Sequence, residues 1–141
     1  MITITVMTAL TGCGGRKALN AETFQALAEK QGLTTEDLTS DFSEDSVEAC
    51  ILATGEDADC EFYILHDEES IEVLWESAEA MIGERPEPKD GSSDAAGSAP
   101  DPLMGETETG YAYASQIDMT FLYIEGKDEG TVKALANAFN Y

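Results

Sequence analysis

The stretch "VEACILATGEDADCEFYILHDEES", Val47 to Ser70, decides how this chain is read. Val47–Thr54 and Cys60–Leu65 are apolar runs of strand length. The acidic, Gly-containing link between them reads as a hairpin turn. Asp67 then caps a helix, with Glu68 and Glu69 in the first turn, where the helix dipole favours negative charge. Ile71, Leu74, Trp75, Ala78, Met81 and Ile82 recur at helical spacing, which predicts one buried stripe. Gly83 closes the helix.

The same order recurs downstream. Gly110–Ser115 and Met119–Glu125 read as a second hairpin, and Asp128 and Glu129 open a last helix with Val132, Leu135, Ala136 and Phe139 on one face. "DEESIEVLWESA" and "DEGTVKALANAF" align at their caps and at Ile71/Val132 and Leu74/Leu135. Upstream, Asn20 caps a helix bearing Phe24, Leu27 and Ala28. Leu19 and Phe24 are placed as a hydrophobic staple, and Gly32 stops the helix. Thr34 to Ser46 is polar and reads as loop, with one helical turn at Thr35–Leu38. Glu84 to Thr109 holds all four prolines and reads as a mobile loop. The predicted plan is α-ββα-loop-ββα. This is an α+β fold with a four-stranded antiparallel sheet and helices packed on one face.

A chain of 141 residues suits one domain with a real core. Its charge is extreme, with 29 acids against 7 bases and a formal net of -22. That balance excludes nucleic acid as a partner, because phosphate recognition needs clustered Lys and Arg. The charge is also unevenly placed. Met1 to Lys17 contains no acid and two bases, Arg16 and Lys17, and every acid lies beyond it.

Within that segment Ile2–Leu10 is apolar and export-signal-like, and Leu10-Thr11-Gly12-Cys13 follows it. These residues resemble the lipobox of bacterial, Gram-positive-type lipoproteins: Leu, a small residue, Gly or Ala, then Cys. The match covers residues 2–13 and departs from the family in having no Lys or Arg before the apolar run. The resemblance implies that residues 1–12 are the remnant of a signal, that Cys13 carries the lipid, and that residues 13–18 form a tether. Residues 19–141 are then a single domain. It also implies attachment to the outer face of the cell membrane through acyl chains on Cys13. Arg16 and Lys17 near anionic headgroups would add up to about 1 kcal/mol each.

Candidate chemistry is sparse. The single histidine, His66, sits at a strand-to-helix junction with no nucleophile motif around any serine. Glu56, Asp57, Asp59 and Glu61 cluster in and after the first turn, and Glu56, Asp57 and Asp59 are candidate ligands of a weak calcium site, although EF-hand spacing is absent; Asp59 and Glu61 also read as outward residues of a strand. No zinc set exists and no cofactor is expected. Cys50 and Cys60 face each other if the hairpin turn centres on Gly55, so a disulfide between them is a candidate in an extracytoplasmic protein. Tyr63, Tyr111, Tyr113 and Tyr123 lie in or beside strands and are candidates for a binding platform.

The expected function is a lipid-anchored, non-enzymatic binding or interaction domain whose partner is a protein or cell-envelope ligand. Two other readings stay open. One is an extracytoplasmic hydrolase using carboxylates. The other is a soluble intracellular domain in which residues 1–10 form a strand.

Overall fold

The computed structural model describes residues 17–84 and 101–141. Leu10-Thr11-Gly12-Cys13 and residues 85–100 of the expected loop lie outside the described residues. Helix α1 (Ala21–Lys30) starts where expected: the Asn20 carboxamide oxygen accepts from the Thr23 N–H at 2.8 Å. It stops at Gly32, whose φ of +84° is the left-handed turn that glycine adopts without strain. The Leu33 N–H then bonds the Ala28 carbonyl and the Gly32 N–H bonds that of Glu29, both at 3.0 Å.

Strand β1 (Thr34–Asp37) and a single 3-10 turn (Thr39–Asp41) follow, then β2 (Val47–Thr54), β3 (Ala58–Leu65) and helix α2 (Glu68–Ile82). Past residue 100 come β4 (Leu103–Thr107), β5 (Gly110–Ile117), β6 (Thr120–Gly126) and helix α3 (Glu129–Phe139). Asp67 and Asp128 cap their helices, each accepting a backbone N–H at 2.7 Å. The six strands form one antiparallel sheet in the order β1-β2-β3-β6-β5-β4, so the halves meet where β3 pairs with β6.

The expected four-stranded sheet with helices on one face is therefore overturned in two respects. First, each half contributes three strands. Thr34–Asp37 shows no apolar alternation because β1 is an edge strand, and edges tolerate polar and acidic residues that discourage further pairing. Leu103–Thr107 lies inside the segment read as loop because Pro102 precedes it. Proline is admissible beside an edge strand, where no ladder hydrogen bond is lost. Second, helices cover both faces. Tyr111 to Ser115 are buried at every successive position, so β5 has no solvent face, and such a strand needs cover on both sides.

On the first face, α1 and α3 enclose Ile51, Cys60, Phe62, Tyr111, Tyr113, Leu122 and Ile124. Phe24 stacks on Phe62 at 4.6 Å and meets Phe139 at 4.8 Å. Burying each such ring contributes about 1.5–3 kcal/mol. The second face carries α2, with Trp75 edge-on to Phe121 at 5.0 Å and its indole N–H donating to Gln116 at 2.7 Å. Ile71, Trp75 and Ala78 form the buried stripe, Leu74 and Ile82 are half-buried, and Met81 faces solvent. The C-terminal end of α2 lies over β4: a methyl group on Gly105 would come within 3.2 Å of the Ile82 side chain.

An open quarter of the sheet as candidate binding site

Two faces and two halves give the sheet four quarters. On the first face α1 covers the β1–β2–β3 half and α3 the β5–β6 half. On the second face α2 runs mainly over β4, β5 and β6. The remaining quarter, the second face of β1, β2 and β3, is met by a helix among the described residues only where α2 reaches β3 and packs with Tyr63 and Leu65. Residues around the 3-10 turn roof only one end of it. There the Leu38 N–H bonds the Cys50 carbonyl at 2.8 Å, the Thr39 hydroxyl accepts from the Cys50 N–H at 3.1 Å, and Phe42 stands edge-on to Tyr63 at 5.9 Å.

The strand register identifies what is left open. One row of directly paired residues runs Glu36, Leu52, Glu61, Tyr123 across β1, β2, β3 and β6. The next row runs Thr34, Thr54, Asp59, Glu125. Leu52, Glu61, Tyr123 and Glu125 are half-buried, and Glu36, Thr54 and Asp59 are exposed. The open quarter is thus a strip with Leu52 and Tyr123 on either side of Glu61, flanked by three more carboxylates.

Its electrostatics follow from that register. Desolvation first, and then the charge of Glu125, push the Glu61 carboxyl above the usual carboxylate range. The Tyr63 hydroxyl, hydrogen-bonded to Glu61, opposes this, and Asp59 adds to it. The same hydroxyl is hydrogen-bonded to the Cys50 thiol. Glu125 accepts from the Thr109 hydroxyl at 2.7 Å and from the Tyr123 hydroxyl at 3.4 Å. Burial, followed by the nearby Glu125 charge, raises the Tyr123 phenol to about 12.

The expected site residues are distributed differently from the sequence reading. Tyr63 and Tyr123 belong to the second face, but Tyr111 and Tyr113 point to the first and are buried there, so the four tyrosines form no common platform. The reason is parity: the β5–β6 register pairs Tyr113 with Ile124, one position away from Tyr123 and therefore on the opposite side. Cys50 and Cys60 are free thiols. Thr54 pairs with Asp59, three positions further along than a turn centred on Gly55 requires. Cys50 therefore lies opposite Tyr63 and Cys60 opposite Ala53. An odd shift puts the two sulfurs on opposite faces, which rules out the bridge in this register.

Glu56, Asp57 and Asp59 likewise do not converge. Asp57 pairs with Lys127 at 2.9 Å in an exposed ion pair, and Asp59 joins the strip. Among the described residues no group of three or more His, Cys, Asp or Glu side chains is placed to hold a metal ion. His66 is exposed beside α2. Glu125 and Leu52 carry no binding signal in the sequence, and Glu61 stands there only in the acidic cluster at the first turn. The signal available was an acid inside an apolar run, Glu61 in "CEFYIL", which marks a strand position open to water. No helix of the described residues is long and apolar enough to cross a membrane. Compared with protein-family models, with curated proteins and with solved structures, the chain matches none.

Proposed function

We propose that this chain is a non-enzymatic binding domain, held at the outer face of the cell membrane by a lipid on Cys13, that engages a protein or cell-envelope ligand through the open quarter of its sheet. The single observation that supports binding is that quarter: half-exposed Leu52 and Tyr123 on a rigid sheet whose other three quarters are each packed by a helix. Aromatic and apolar side chains fixed on strands make good contact residues, because little side-chain freedom is lost on binding. Anchoring is supported by Leu10-Thr11-Gly12-Cys13 and by the charge break after Lys17.

A photo-crosslinking amino acid at position 52 in cells tests the binding reading, with position 29 on the first-face helix α1 as control. A discrete adduct from position 52 and none from 29 is expected. Equal or absent adducts from both would overturn it.

A second reading, a carboxylate-dependent hydrolase, draws on Glu61, which holds its proton to a higher pH than an ordinary glutamate, as a general acid must. Glu61 is half-buried on a strip that it shares with Leu52 and Tyr123, and apolar neighbours of this kind favour binding. A hydrolytic activity of the purified chain lost in Glu61→Gln would replace the binding reading.

A further inference from the structure

We propose that the open quarter receives a lysine- and arginine-rich polypeptide segment of a partner protein; this rests on the binding reading above. The argument is one of charge and shape. Glu36, Asp59, Glu61 and Glu125 share one face of four adjacent strands. No described lysine is ion-paired with them: Lys127 pairs with Asp57, Lys133 pairs with Glu129 on α3, Lys30 sits at the end of α1 on the opposite face, and exposed Lys17 precedes α1. Neighbouring strands lie about 4.8 Å apart, so Glu36 and Glu61 are separated by ~10 Å and Asp59 and Glu125 by ~5 Å.

That spread, with no three ligands converging, suits separate cationic groups rather than one bare ion. What lies between the carboxylates decides the class of cation. Leu52 and Tyr123 flank Glu61 in the same row. Lysine and arginine lay their apolar stems along such surface while the charged head reaches past it, and a guanidinium stacks on a tyrosine ring. An anionic polymer or an anionic lipid surface is repelled by the same four carboxylates. A basic segment neutralises Glu61 and Glu125 together and removes the repulsion between Asp59 and Glu125 that the free protein retains.

The test titrates the full chain with a labelled (Lys-Ala-Leu-Lys)n peptide and, separately, with its glutamate counterpart and with calcium ion alone. Binding of the lysine peptide, weakening as salt is raised, is expected. The double variant Glu61→Gln/Glu125→Gln is expected to lose at least about tenfold in affinity. Glu106→Gln/Glu108→Gln removes the same charge from exposed positions on and beside β4, and a change of no more than about twofold is expected. Leu52→Lys is expected to abolish binding. Equal losses in the two double variants would mean that the peptide senses only the overall charge, and the proposal falls. Binding of calcium or of the glutamate peptide in place of the lysine peptide would also overturn it. Crosslinking from position 52 would then still stand, separating a wrong occupant from a wrong face.

Discussion

Asp59 of β3 stands directly opposite Glu125 of β6, at the seam where the two halves of the sheet join. Like charges at directly paired positions oppose strand association. Glu61, one step along the same face, is half-buried beside them. The sheet is held at this seam by Phe62, Leu122, Cys60 and Ile124 on its other face, where no charge intrudes. Packing on the first face thus holds these acids side by side on the second.

This arrangement predicts an unusual pH profile. The Glu61 carboxyl is raised above its ordinary 4.5, so between that value and its raised folded value the native state binds more protons than the unfolded chain. Stability therefore rises as pH falls through that window, and the gain is complete below the ordinary value. The caps act the other way. Asp67 and Asp128 are lowered from 3.8 by hydrogen bonds from Ser70 and Thr131, so their contribution is present above 3.8 and is lost as pH falls through their lowered values. The melting temperature should rise from neutral pH towards about 5 and drop below about 4. Glu61→Gln should flatten the rise and stabilise the protein at neutral pH by up to about 1 kcal/mol, read by thermal melts across pH.

The cysteines should behave as buried thiols. Desolvation, with Glu61 next, raises Cys50 to about 11, and desolvation, with Asp59 next, raises Cys60 to about 12. Both are protonated at neutral pH and shielded from reagents. Alkylation of the native protein should be slow at both and become fast on unfolding, and the mass without reduction should show two free thiols at these positions. A non-reduced mass lower by two hydrogens, with the bridge mapped to Cys50 and Cys60, would contradict the register.

Two aromatic truncations should separate fold from site. Phe62→Ala removes a fully buried ring stacked on Phe24 and should cost about 3–5 kcal/mol. Tyr123→Ala removes a half-exposed ring and should cost about 1–2 kcal/mol while weakening binding at the open quarter. Denaturant melts measure the first effect and peptide titration the second.

Cys13→Ser should release the protein from the membrane into the medium, and acyl-chain labelling should mark the parent but not the variant. Retention of the variant at the membrane would remove the anchor from the proposed function and leave the binding face to stand alone.

Helix positions were legible because their signals are local. Asn20, Asp67 and Asp128 sit next to the N–H groups they cap, and Gly32 lies where α1 must stop. The four strands with apolar runs were legible for the same reason. Thr34–Asp37 and Leu103–Thr107 were not, because an edge strand is held by its neighbour's backbone and needs no apolar signature of its own.

The sequence by itself determined the helices, the central strands, the acidic surface and the doubled hairpin-then-helix order. Only the tertiary structure decided which residues share a face. A shift of three positions in the β2–β3 register separated Cys50 from Cys60, and the parity of β5 against β6 separated Tyr113 from Tyr123. The physical reason is that side chains alternate with a period of two. Pairing between distant strands therefore selects the set that meets, and no local pattern encodes that choice. The same pairing brought Asp59, Glu61 and Glu125 onto one open strip beside Leu52 and Tyr123.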